Sequence, residues 1–579
     1  MTATTVAQRI ARALQRHGVD VIFGQSLPSA VILACEAIGI RQLAYRQENM
    51  GGAMADGFAR ASGRVAVVAA QNGPAATLLV PPLAEAYKAS VPIVALVQDV
   101  ERSQFDRNAF QELDHLALFS SCAKWVRRVI TSERIDDYVD AAFVAAGSGR
   151  PGPAVLLLPA DLLRDLAAEP TRGRHLSLGE WPTDRTRPTD AEIHVAATSI
   201  VTATAPVIIA GGGATSRAAA MALAKLQDAA HLPVFTTNMG KGAVDETHAL
   251  SAGVLGALTG PRSLGKRTKS ILDEADLVVL VATRTNQNGT DSWRQIIPGT
   301  QVIHIDIDPC EVGRNYEAMR LIGDASATLE ALCDAVGQSD LSLRLATRPG
   351  LEERIATAWS EFESDRSIYS GSNASPIRPE RIMQELQARL TPDMIVAADA
   401  SYSSMWVVGQ LRGLRPGQRF LTPRGLAGLG WGLPLAMGAK VASAASPVVA
   451  LVGDGGFAHS WAEIETMVRS NVAVVVIVLN NGVLGFQKDA ETVKFGGYSS
   501  ACHFSNVDHA LIARACGCES TTVTSPGNLG QVLDEALTAQ RPWLIEVVTD
   551  PSAHPPISLF DGTLDHHDAD QILHPMRPC

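Results

Sequence analysis

No apolar run in this 579-residue chain exceeds the eight residues Val472–Leu479, far short of the roughly 18–20 needed to cross a bilayer. A membrane span is therefore not expected. The chain also lacks a basic excess: Lys plus Arg number 49 against 60 Asp plus Glu, for a net charge of −11. That balance argues against nucleic acid and anionic membrane as partners. Cysteine is sparse and unpaired in spacing. Eight are scattered along the chain, and Cys516 and Cys518 form CGC rather than CxxC, so neither a disulfide framework nor a zinc knuckle is read. The first residues, MTATTVAQRIARALQRHGVD, have helical periodicity without the apolar core of a secretory signal, and a cytoplasmic location is the expectation. Aromatics make up only 5%, while apolar residues reach 46% and glycines number 48. This composition suits an α/β enzyme rich in small residues better than a disordered, fibrous or coiled-coil chain.

Short β-rich runs alternate with Ala-rich helical stretches: VDVIFG, VAVVAA and PIVALVQ early, PVIIAGG, LVVLVAT and QVIHIDID midway, then MIVAAD, PVVALVGDG and VAVVVIVLNN. Near-continuous apolar strands between helices predict parallel sheets covered on both faces. Three such blocks are read, as doubly wound α/β domains. The first spans 1–166, a polar linker 167–190, the second block 191–336, a second polar linker 337–378, the third block 379–550, and a tail without strand or helix periodicity 551–579. The first and third blocks are candidates for a duplicated architecture.

The chemistry concentrates at two strand ends of the third block. The strand PVVALV runs into Gly453-Asp454-Gly455-Gly456, and the next strand ends in Asn480-Asn481-Gly482. Ligands of open α/β sheets bind beyond the carboxyl ends of the strands. Glycines there let a diphosphate approach the backbone, and Asp454 with Asn481 supplies hard oxygen ligands for Mg²⁺. Each signal alone is also an ordinary turn; their conjunction reads as a divalent-metal diphosphate site. GDGGFAHSWAEIETMVRSNVAVVVIVLNNGVLG resembles the GDG…NN motif of thiamine-diphosphate enzymes. The resemblance implies that Asp454, Asn481 and the Val483 carbonyl hold Mg²⁺. LTPRGLAGLGWGLPLAMGAK, 421–440, resembles the family segment around the aminopyrimidine, which implies a propping role for Leu429 and a carbonyl role for Ala427.

In the first block, YRQENMGGAMADGFARASG resembles the segment carrying the cofactor-activating glutamate, and Glu48 matches it. In that family the glutamate and the GDG…NN site come from different subunits, which implies a homodimer or homotetramer. Asn108-Ala109-Phe110-Gln111-Glu112 matches the AFQE segment of the large catalytic subunit of acetolactate synthase, and so implies that Phe110 and Gln111 face the substrate; Gln25 and Ser26 are further candidates. In the second block Gly211 and Gly212, Arg284, Asp306 and Asp324 resemble positions of the family's FAD-binding middle domain, which relatives use for an adenine nucleotide. An empty structural domain is the alternative.

Over most of the chain the resemblance is to acetolactate synthase large subunits, which implies thiamine diphosphate- and Mg²⁺-dependent decarboxylation of a 2-oxo acid such as pyruvate and transfer of its two-carbon unit to a second carbonyl. The chain departs from that pattern. Asn288 stands where an arginine for the acceptor carboxylate is expected, Ala490 where a tryptophan is, and Ser401-Tyr402-Ser403-Ser404-Met405-Trp406 replaces GQHQMW. An aldehyde or ketone acceptor is thus in play. A carbon–carbon lyase of the 2-hydroxyacyl-CoA or benzaldehyde lyase type, and a non-catalytic relative with a binding role, are the alternative functions.

Overall fold

The structure is a computed structural model that describes residues 4–168 and 173–560. Three six-stranded sheets, parallel throughout, follow one another along the chain. Their central strands are short apolar segments buried along their whole length, such as Ala66–Ala70, Leu277–Val281 and Val475–Leu479. Such segments require cover on both faces, which the intervening helices supply.

Counted within each sheet, the strands of the first (Val21–Gly24 through Ala154–Pro159) and of the third (Ile395–Ala398 through Trp543–Val548) both lie in the order 2-1-3-4-6-5. The duplication expected of these two blocks is present in their topology. The middle sheet, Pro206–Ala210 through Met319–Ile322, runs 3-2-1-4-5-6, the order of dinucleotide-binding sheets. Strand order reverses beside the first strand in every case, and the crevice at that point is where α/β sheets accept ligands. In the first domain it is bordered by Gly24-Gln25 and Gln71-Asn72-Gly73, in the middle domain by Gly211–Gly213 and Ala282–Arg284, and in the third by Asp399 and Asp454.

The first and third domains share one hydrophobic core. The helix Glu48–Ser62 crosses the helix Gly432–Ala442 with backbones in contact. A Cβ on Gly57 would stand 2.1 Å from the Leu435 carbonyl oxygen, and one on Gly438 1.8 Å from that of Met54. The segment Met54-Ala55-Asp56-Gly57 therefore has a packing role: glycine permits the crossing, and Asp56 pairs with Arg60 one turn on, 2.7 Å away.

One segment differs from the sequence reading. The stretch 337–378 is not an irregular linker but contains a 29-residue helix, Ser342–Ser370. Its buried face is only Ile355, Ala358 and Phe362 with little else, and Pro349 interrupts the pattern, so the apolar periodicity is weak. These residues and Trp359 pack on the middle domain, Leu264 included, and exposed ion pairs such as Arg354–Glu274 at 2.8 Å flank the contact. Of the C-terminal tail, the Pro551 carbonyl accepts from Lys488 of the third domain at 2.8 Å and Ala553 joins that domain's core, while Ile557 is buried against Gly260 and the Ser558 hydroxyl donates to Asp291 of the middle domain at 2.6 Å; 561–579 fall outside the described residues. No helix among the described residues is long and apolar enough to cross a membrane, and their seven cysteines are unpaired.

Candidate functional site

In the third domain the parallel register pairs Gly453 with Leu479, so both loops leave the sheet side by side. They are tied to each other directly: the Gly482 amide donates to one Asp454 oxygen at 2.7 Å, and the Gly455 amide to the other at 2.9 Å. Burial raises the Asp454 carboxyl above its ordinary value, against the pull of these amides. Gly455 and Gly456 are places where a side chain cannot fit, since a Cβ would stand 2.6 Å from the Phe504 ring and 2.0 Å from an Asp399 oxygen respectively. The two asparagines separate in role. Asn480 is turned inward, donating to Glu546 at 2.7 Å and to the Val507 carbonyl at 3.2 Å. Asn481 has only its own turn, accepting from the Val483 amide at 3.1 Å. Asn480 thus braces the strand end and makes a poor candidate for touching a ligand directly. No cluster of three or more His, Cys, Asp or Glu suited to a metal occurs among the described residues; the donor set here is one carboxylate, one side-chain amide and a backbone carbonyl.

The 421–431 segment is held from both sides. Asp399, fully buried, accepts from the Gly430 amide at 2.9 Å and the Trp431 amide at 3.1 Å, and burial pushes its carboxyl up to about 6. Glu85, reaching across from the first domain, accepts from the Gly425 amide at 2.6 Å, from Leu426, and from Ala427 at 3.2 Å. Ala427 sits at φ +61°, a left-handed conformation that those bonds offset. Leu429 is left 37% exposed.

Glu48 opens the helix Glu48–Ser62 and is half-buried, with no hydrogen bond or ion pair among the described residues. The turn before it is pinned from the third domain, where Glu463 accepts from the Arg46 and Gln47 amides, both at 3.0 Å. Nearby, Gln71 donates to the Gln111 side-chain oxygen at 2.7 Å and Asn72 to the Gln111 carbonyl at 3.1 Å. Gln111 itself has φ +62°. Beneath it the Gly73 amide donates to His115 Nε2 at 3.0 Å, while His115 Nδ1 meets Asp99 at 3.1 Å. A ring that accepts at Nε2 carries its proton on Nδ1, which makes Asp99 the acceptor. Burial opposes the Asp99 charge, but the bonds from His115 and from Arg128, at 2.8 Å, outweigh it and hold the carboxyl below its ordinary value. Glu112 folds the adjoining loop, accepting from the Asp106 amide at 2.7 Å and from that of Ala109 at 2.8 Å. Phe110 projects from this rigid loop, 86% exposed.

Gly212, Arg284, Asp306 and Asp324 come together around a cavity of 640 Å³ between the domains, with Gly211 behind its neighbour in the same turn. Burial pushes Asp306 up to about 6. Arg419 and Arg424 form the third-domain wall, and desolvation lowers each to about 10. Among the described residues Arg217, Arg284, Arg419 and Arg424, all lining this cavity, have no carboxylate within ion-pair reach. Asn288 lines the same cavity, its carbonyl fixed by the Ala257 amide at 2.8 Å. Unpaired guanidiniums around one void favour a polyanion.

Glu85, Glu463, Asp399 and His115 are the residues that sequence reading passed over. Their signal was a polar side chain inside an apolar stretch, as in VPPLAEAYK or MIVAAD, but its partners are remote in the chain.

Comparison with known proteins bears on the whole arrangement. Residues 4–118 match the thiamine pyrophosphate enzyme N-terminal TPP binding domain, 193–332 the central domain, and 399–547 the C-terminal TPP binding domain. A probable acetolactate synthase large subunit of Methanocaldococcus jannaschii is 31% identical over 99% of this chain and 95% of that protein. The large subunit of acetolactate synthase isozyme 2 of Escherichia coli K12 is 31% identical over 94% and 95% respectively. A probable acetolactate synthase large subunit of Methanococcus aeolicus is 30% identical over 94% and 92%.

Proposed function

Because the chain belongs to the thiamine pyrophosphate enzymes, and within them is acetolactate synthase-like, we propose that it is a Mg²⁺-dependent carboligase: it decarboxylates a 2-oxo acid, pyruvate in the simplest case, and transfers the two-carbon unit to a second carbonyl acceptor. The observation that carries this reading is the closed pair of loops at Asp454 and Gly482, beside glycines where a side chain has no room. Such a cradle fits a diphosphate and its metal. Asp454, Asn481 and the Val483 carbonyl are the Mg²⁺ ligands, and the amides around Gly453, Gly455 and Gly456 meet phosphate oxygens.

Bound thiamine diphosphate supplies a nucleophilic carbon and an electron sink for decarboxylation. The chain orients and protects it. Leu429 and the Ala427 carbonyl shape the pyrimidine end, and Glu48 holds a proton against ring nitrogen N1′. Gln111, fixed by Gln71 and Asn72, presents its amide to the substrate carbonyl, and Phe110 excludes water from the same face. Asn288 offers no cation to an acceptor carboxylate, which favours an uncharged acceptor. Glu48 without a partner, Leu429 half-exposed and Phe110 projecting all suit a homodimer or homotetramer in which these surfaces face a second copy. The central cavity takes an adenine nucleotide, FAD included: the order of the middle sheet is that of dinucleotide sites, and guanidiniums without ion pairs among the described residues suit a pyrophosphate.

Incubation with thiamine diphosphate, Mg²⁺ and pyruvate should release CO₂ and form a ligation product, and a visible spectrum of the purified protein tests for flavin. Cleavage of an acyloin without CO₂ release would favour the lyase, and neither activity would refute the catalytic reading.

A further inference from the structure

The first and third domains each send one buried carboxylate into the other. Glu85, on the helix Val80–Ala89 of the first domain, receives the amides of Gly425, Leu426 and Ala427. Glu463, on the helix Glu463–Arg469 of the third, receives the amides of Arg46 and Gln47. Both side chains are almost completely shielded, at 2% and 0% exposure. The two loops they grip are equivalent in place: each leads into one of the two helices that cross at Gly57 and Gly438, and the sheets beneath have the same strand order.

A carboxylate enclosed in this way is costly unless its lone pairs are used. Here they are used on backbone amides of segments that have no ladder of their own. Each bond to a charged acceptor is stronger than an amide–amide bond, so the position of each loop is set by the opposite domain more than by its own.

We propose that Glu463 and Glu85 are reciprocal positioning residues: Glu463 sets the turn that aims Glu48, and Glu85 sets the Gly425–Ala427 segment that shapes the pyrimidine end of the cofactor site. The proposal rests on the roles given above to Glu48 and to Ala427. The two clamps differ in chemistry. At Glu463 one oxygen takes both amides at 3.0 Å and the other makes only a longer second approach to the Arg46 amide, at 3.3 Å, so a glutamine carbonyl can replace the first. At Glu85 the two oxygens take different amides, so a glutamine must set its NH₂ against an N–H donor.

The test measures thiamine diphosphate affinity and the rate of C2–H/D exchange in the bound cofactor, on full-length protein with Mg²⁺. Glu463→Ala should slow exchange at least tenfold with affinity within threefold of wild type, and Glu463→Gln should restore exchange to within threefold. Glu85→Ala and Glu85→Gln should both weaken affinity at least tenfold. Glu48→Gln is the control for the underlying reading. If it exchanges at the wild-type rate, the role of Glu48 fails, and the Glu463 half of the proposal with it. If Glu48→Gln is slow while Glu463→Ala is as fast as wild type, the positioning role alone fails. If either Ala variant does not fold, the Gln variants decide, since equal behaviour at 463 and 85 contradicts the proposed asymmetry.

Discussion

Replacing His115 by phenylalanine separates the loop that carries Phe110 and Gln111 from its support. Two buried bonds disappear, that from the Gly73 amide to Nε2 at 3.0 Å and that from Nδ1 to Asp99 at 3.1 Å. A buried amide left without an acceptor costs about 1–3 kcal/mol, and a bond to a charged carboxylate is worth about 1.5–3 kcal/mol. Arg128 still holds Asp99, which places the total near the lower end, about 3 kcal/mol. Gly73 abuts Gln111 closely enough that a Cβ would stand 2.7 Å from the Gln111 Cβ, so a displaced Gly73 moves Gln111 with it. The expected result for His115→Phe is a KM for pyruvate raised at least tenfold, faster amide hydrogen exchange across 106–112, and thiamine diphosphate affinity close to wild type. His115→Gln, which returns a carbonyl to about the position of Nε2, should recover most of the KM. Wild-type KM together with wild-type exchange protection in the phenylalanine variant would refute the account. The exchange measurement stands even if pyruvate is not the substrate.

Asp454→Ala should abolish Mg²⁺-dependent binding of thiamine diphosphate; titration calorimetry giving the same affinity with Mg²⁺ and with EDTA would reject the metal assignment. The Asp399 carboxyl, raised from 3.8 to about 6 by burial, keeps a proton in the folded state that the unfolded chain releases between those values. Its contribution to stability is therefore lost as pH rises through that window, by about 3 kcal/mol at most. Asp399→Asn should gain stability relative to wild type from pH 4 to 6 and then level off, as read from denaturant melts; a difference independent of pH would remove the argument.

The α/β class and the three-block order were readable because parallel strands buried on both faces leave uninterrupted apolar runs such as Val472–Leu479. Asp454 and Asn481 were readable because each sits in a glycine-rich strand end, and the sheet does the work of bringing two such ends together. Glu85 and Glu463 were not, since a glutamate in a helix looks the same whether it faces solvent or the amides of a loop some 340 or 417 residues away in sequence. The helix Ser342–Ser370 was missed for a different reason. Its polar face is broad and its apolar contact is confined to a few residues around Ile355, Ala358 and Phe362, so the stripe that periodicity detects is weak.

Charge has the same history. Composition gives an acidic chain with no basic stripe. At the Asp454 cradle the groups that meet are a carboxylate and backbone amides. The central cavity is different: Arg217, Arg284, Arg419 and Arg424 reach one void from the middle and third domains, none of them in an ion pair among the described residues, with Asp306 and Asp324 on the same lining. Desolvation lowers Arg419 and Arg424 to about 10, still far above neutral pH. Mutual repulsion and the loss of water oppose this gathering, and the carboxylates of Glu311 and Asp306 offset part of it at Arg284. Net charge is an average over surface and interior, and a site whose cations converge through folding leaves no mark on it. The Asp454 cradle is thus built on backbone amides at a sheet edge, and the lining of the central cavity on guanidiniums brought together between domains.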